Sequence, residues 1–397
     1  MSVNLKKLLF ILPVIIVLLF IGAHYFLLPQ KPADSAHTGK ITYTDLAGRK
    51  MSIPKNVQRI ILLRSTDIYE LAALLGDELP AKLVAWGPDL RTDDKEAYDK
   101  FVGKYPALKN LPETGSVYND GLNPEQLVNL HPDLVIADKS ILDKGYKYVD
   151  KLDETGLPVI YLDGSSDPLT GPQKGISLLG RMLGKEKRAS EIVQYVNSQI
   201  DTVLTRVDLL NAMDSLSKPP IPPPSVYLEA GSGGPPEFAQ TYGSSGNPKE
   251  YTSWGAVLHA LKVRNIADGV IGKQEKINPE FILQADPDVI IITGQHWTTG
   301  NGSMELGYYS TPEQSAKLLT DFTTRPGWDT LSAVKNKRLY SVFHNTAIIL
   351  CFAAIQALAR DCYPSTFGDL DPEDNLKEFY SRFLTIPYSG TWMIGPL

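Results

Sequence analysis

Asn123-Pro124-Glu125, followed by Pro132-Asp133-Leu134-Val135-Ile136, decides the fold, because the chain writes this unit twice. Asn278-Pro279-Glu280 and Pro287-Asp288-Val289-Ile290-Ile291 repeat it, with 155 residues separating Asn123 from Asn278 and every later pair. Each residue type suits its place. Asn caps a helix, Pro occupies a first turn that needs no N–H, and Glu favours the positive helix end. About two turns of helix follow, Pro-Asp turns the chain, and an apolar strand enters a sheet. Two similar α/β lobes account for the repeat; the blander account is convergent use of good caps and turns.

Working outward, Ile41–Arg49 and Lys50–Pro54 read as a short hairpin around Ala47-Gly48. Arg59–Leu63, Lys82–Trp86, Leu134–Ala137 and Pro158–Leu162 read as buried strands, with a helix from Asp67 to Leu75 ending at Gly76. Strands alternating with helices imply an open, parallel α/β sheet. From Gly171 to Leu216 apolar residues recur at helical spacing, which predicts one long linking helix, its weak point at Gly184. Five prolines between Pro219 and Pro224 break it. Ser225–Leu228, Val289–Thr293 and Leu339–Val342 then read as strands, and helices over roughly 346–362 and 372–383 end the chain. The expected organisation is an N-terminal membrane segment (1–30), a tether (31–40), a first lobe (41–170), the linking helix (171–216), a second lobe (217–345) and a helical tail on the second lobe (346–397).

The 397 residues suit two lobes, and a net charge of -6 without any basic run argues against a nucleic-acid partner. Lys6 and Lys7 precede an apolar stretch from Leu8 to Leu28, long enough to span a bilayer, with the lysines on the cytoplasmic side. An uncleaved anchor, a cleaved signal peptide and a buried helix all remain open; the first two export the rest of the chain. No Cys follows the stretch, which closes the lipid-anchored route. Cys351 and Cys362 are too far apart for a disulfide if one continuous helix carries both.

No Gly-x-Ser-x-Gly elbow, Walker loop or closely spaced His pair is present. Gly231-Ser232-Gly233-Gly234 runs into Pro235-Pro236 where a nucleotide-binding helix would start, so it reads as a flexible cleft loop. Ligands of open α/β sheets sit beyond the carboxyl ends of the strands. That rule selects loops bearing Arg64, Thr66, Arg91, Tyr118, Tyr242, His296, Trp297 and His344. Aromatic rings with a few cations suit a bulky, planar or anionic chelate.

Tyr43-Thr44-Asp45-Leu46-Ala47-Gly48-Arg49, Ile53-Pro54, Arg59-Ile60, the two repeat units, Arg325-Pro326-Gly327-Trp328 and Arg338-Leu339-Tyr340 carry a resemblance over roughly residues 41–345. The sequence resembles periplasmic binding proteins for iron-siderophore, haem and vitamin B12, the class III proteins with a helical backbone that serve ABC importers. The resemblance implies two Rossmann-like lobes joined by one rigid helix, with the ligand cleft between them. It also implies that Glu125 and Glu280 dock onto an ABC permease, which works with its ATPase. The expectation is therefore an extracytoplasmic solute-binding protein, not an enzyme, with no cofactor and no resident metal. Its cargo would be a metal chelate, first a ferric siderophore. The alternatives are molybdate or tungstate, a nickel complex, a cobamide and, remotely, a membrane-anchored metal-cofactor enzyme.

Overall fold

The structure, a computed structural model, describes residues 39–118, 121–143, 145–246, 249–297, 302–345 and 348–397. The expected anchor over 1–30 and nearly all of the tether over 31–40 lie outside these residues. Among the described residues no helix is long and apolar enough to cross a membrane.

β1 (Lys40–Thr44) and β2 (Lys50–Pro54) form the expected hairpin. β3 (Ile60–Leu62), β4 (Leu83–Trp86), β5 (Leu134–Asp138) and β6 (Val159–Leu162) make a parallel sheet in the order β4-β3-β5-β6. β7 (Ser225–Ala230), β8 (Arg264–Asn265), β9 (Val289–Gly294), β10 (Leu339–Phe343) and β11 (Met393–Ile394) make a second sheet in the order β11-β10-β9-β7-β8. Only the β10–β11 pair is antiparallel there. β5, β6, β7, β9 and β10 are buried along their whole length, as parallel strands covered on both faces must be.

Helices α1 (Ile68–Leu75), α2 (Pro124–Asn129), α3 (Gly171–Leu183), α4 (Glu186–Leu216), α5 (Pro279–Ala285), α6 (Pro312–Asp321), α7 (Cys351–Cys362) and α8 (Pro372–Phe383) position these sheets. The repeat is structural. Asn123 caps α2 by accepting from the Glu125 and Gln126 amides, and Asn278 caps α5 by accepting from the Glu280 amide at 2.9 Å. Asp133 then accepts from the Gln58 and Arg59 amides beside β3, at 2.7 and 2.9 Å. Asp288 accepts from the amide and hydroxyl of Ser225 on β7, both at 2.7 Å. Even the strained residues match: His131 (φ 48) and Asp286 (φ 41) are left-handed at equivalent positions. Each Pro-Asp is thus a clamp that pins the incoming strand to its parallel neighbour.

The linking segment is two helices, divided at the position where the sequence left an interruption open. Gly184, at φ 66, closes α3 in the left-handed conformation, and α4 starts afresh at Glu186. Helical periodicity spans such a break without showing it, because both helices bury their apolar faces against each other.

The tail also reaches further than expected. β11 extends the second sheet, but α7 packs on α4, and α8 packs against α1 of the first half. The hydroxyls of Tyr69 in α1, Tyr308 and Tyr380 in α8 form a buried chain, with oxygens 2.8 and 2.7 Å apart. Arg188 of α4 donates to the Ala73 carbonyl on one side and the Arg382 carbonyl on the other, at 3.1 and 2.8 Å. Cys351 and Cys362 begin and end α7 as buried free thiols. α7 is a continuous helix, and burial raises the pKa of both thiols.

Candidate functional site

The carboxyl ends of the strands in both sheets open into one cavity of about 1200 Å³. It is lined by Arg64, Thr66 and Tyr118 from the first half, and by Tyr242, Trp297 and His344 from the second. Six of the eight side chains selected from sequence therefore meet there. A smaller cavity of about 530 Å³, between Leu46 and helices α3 and α4, holds none of them.

Arg64 follows β3 and is 5% exposed. It is an ion pair before any ligand arrives. Its Nε donates to Asp67 at 3.0 Å, its Nη1 lies 3.0 Å from Asp138, and the same nitrogen donates to the Ser165 hydroxyl at 2.7 Å. Burial pushes the Asp67 carboxyl up to about 6 in spite of Arg64. Burial raises Asp138 as well, but Arg64 and the Ser140 and Ser165 donors outweigh it and hold that carboxyl low. Thr66 donates its amide to Asp89, which also anchors Ser65.

On the opposite wall, His344 meets the Trp297 ring edge to face, centroids 5.1 Å apart. Its Nδ1 is 2.7 Å from the Thr293 hydroxyl. Burial pushes the imidazole down to about 4, so it is neutral at pH 7. Tyr242 is held through its carbonyl, which accepts from Asn265 at 2.6 Å.

Two of the eight side chains lie elsewhere. Arg91 does not line the cavity: Glu113 takes its guanidinium bidentately, at 2.7 and 2.8 Å, on the surface. His296 turns instead to Glu96, 3.3 Å away. Both belong to the correct loops, but a carboxylate elsewhere sets where each points. The cavity also uses residues that sequence reasoning passed over. Asp163 directly follows β6, a strand end to which the rule was not extended; Lys139 pairs with it. Gln240 lies on the same selected loop as Tyr242, whereas Tyr251 comes from a stretch with no sequence signal.

The glycine-rich loop is not slack. Arg325 donates to Glu229 at 2.7 and 3.0 Å and to the carbonyls of Gly234, Pro235 and Glu237, stacked among Phe238, Phe322 and Trp328. The described part of the long segment after His296 is also packed. Met304, Leu306 and Tyr308 are buried, and the Tyr309 amide donates to Glu96 at 3.0 Å. Among the described residues no group of three or more His, Cys, Asp or Glu side chains is placed to hold a metal ion.

Two parallel sheets facing a shared cavity define a class, and comparison with known proteins gives the same class. The sequence pattern of the family described as periplasmic binding protein matches residues 73–344. The crystal structure of the TroA-like periplasmic binding protein FepB from Veillonella parvula is 36% identical, with a TM-score of 0.78, covering 89% of this chain and 99% of that one. The uncharacterized ABC transporter substrate-binding lipoprotein YvrC of Bacillus subtilis is 23% identical over 344 residues, 86% of this chain and 91% of its own length. MolA of Haemophilus influenzae, solved bound to molybdate, shares the fold at 16% identity and a TM-score of 0.61, covering 88% of this chain and 99% of that one. The chain belongs to the periplasmic binding protein family, in the class III group that serves ABC importers.

Proposed function

We propose that the protein captures a metal chelate, first a ferric siderophore, outside the cytoplasmic membrane and hands it to an ABC permease coupled to its ATPase. The observation that carries this reading is the cavity itself, at the carboxyl ends of two parallel sheets and walled by Tyr118, Tyr242 and Trp297. Its volume suits a bulky, ring-bearing cargo better than a single small ion. Residues 41–170 and 217–345 act as the lobes on this reading, 171–216 as the link and 346–397 as the tail. Residues 8–28 hold the protein at the membrane or direct its export.

Glu125 and Glu280 are exposed on the first turns of α2 and α5, the two copies of the repeat. A pair of like carboxylates, one per lobe, suits a two-fold symmetric permease. Glu125→Lys with Glu280→Lys should cut chelate uptake at least about tenfold while leaving chelate affinity within about twofold. Uptake at the wild-type rate would refute the docking role.

A further inference from the structure

The cavity has a sign. Among its described lining residues are six carboxylates and three cations. All three cations are already committed to carboxylates: Arg64 to Asp67 and Asp138, Lys139 to Asp163, and Lys273 to Glu250. Asp67 and Asp138 stand behind Arg64 and add to the excess. His344 contributes no positive charge at pH 7.

We propose that the cavity selects a metal complex of net positive charge and discriminates against oxyanions and polyanionic chelates. This rests on the reading of the chain as a solute-binding protein and narrows its cargo. Two independent features carry it beyond the excess of carboxylates. Asp163 lines the cavity, and its buried Oδ1 has no hydrogen-bond partner among the described residues, so its charge is offset only through the Lys139 pair on the other oxygen. Tyr118, Tyr146, Tyr242, Tyr251 and Trp297 line the same space, and aromatic faces attract cations through their quadrupole. An anion would meet carboxylates whose neutralising partners are already in use, and would have to break existing pairs to gain any of its own.

The test presents ferric iron in complexes of opposite net charge. The ferric complex of a linear trihydroxamate bearing a protonated amine is a monocation. The ferric complex of a tris-catecholate is a trianion, and molybdate, a dianion, completes the set. Titration calorimetry and tryptophan fluorescence of the full chain at pH 7 should show the monocation bound at least about 30-fold more tightly than either anion. Asp163→Asn and Glu275→Gln should each weaken the monocation by about fivefold and narrow the gap, with the thermal melting temperature checked for each. Equal or tighter binding of the trianion or of molybdate overturns the charge selection while upholding solute binding. Binding of none of the three also overturns it, and the uptake experiment then judges the binding-protein reading separately.

Discussion

β3 and β7 lead the two halves, and each is served by a buried arginine, yet the two arginines do opposite work. Arg64 stays on the cavity wall, its two carboxylate partners arriving from its own loop and from β5. Arg325 is drawn from far along the chain onto Glu229 of β7, and the pair is sealed, with side chains 1% and 0% exposed. The first half turns its buried arginine pair toward the site, while the second uses its buried arginine pair to build the loop. The same buried arginine–carboxylate pair can therefore serve the cavity wall in one half and the loop scaffold in the other.

The largest effect should come from breaking the closed pair. Arg325→Met leaves Glu229 buried without its counter-charge and should cost about 3–5 kcal/mol, measured by urea unfolding. Arg64→Met should cost less, about 1–3 kcal/mol, because Asp67, already pushed up to about 6, can take a proton instead. Equal losses would erase the distinction between the two halves.

Glu70 sharpens the comparison, since it sits in α1 of the first half and accepts from the Ile349 amide beside the second at 2.8 Å. Burial, with Asp67 nearby, pushes its carboxyl up to about 8 from 4.5. Between those values the native state holds a proton that the unfolded chain has released, so its stability contribution falls as pH rises. Over that window the stability difference between wild type and Glu70→Gln should decline by up to about 1.4 kcal/mol per pH unit. A difference that stays level with pH would contradict the raised carboxyl. The smallest effects test the symmetry: Asn123→Ala and Asn278→Ala should each cost about 1 kcal/mol in thermal unfolding. Markedly unequal costs would mean that the two caps match in sequence but not in energy.

What could be read before folding was whatever depends on neighbours in the chain. The Asn-Pro-Glu caps, the Pro-Asp turns and the apolar strands rest on local geometry, and all stand where the sequence puts them. β8 and β11 have two residues each and exist only because a longer strand pairs with them. The sequence marked Gly184 as a place where the linking helix could be interrupted, and its left-handed conformation makes the break. The site divides in the same way. Strand ends announced Arg64 and Trp297, but the partners that fix charge and direction, Asp138 for Arg64 and Glu113 for Arg91, come from elsewhere in the chain.

The clamps and short strands have a further outcome at the margins of the sheets. β6 is closed by the hairpin turn, where the Leu46 amide donates to Tyr161 and the Tyr161 amide donates to Asp45. β4 is closed by residues 112–114, and β10 by β11, which Gly395-Pro396 follows. β8 leaves only two residues of border. Among the described residues the two large sheets thus leave a neighbouring molecule little free border to zip onto, and the two-stranded β1–β2 hairpin is the sheet whose outer edges no named strand covers.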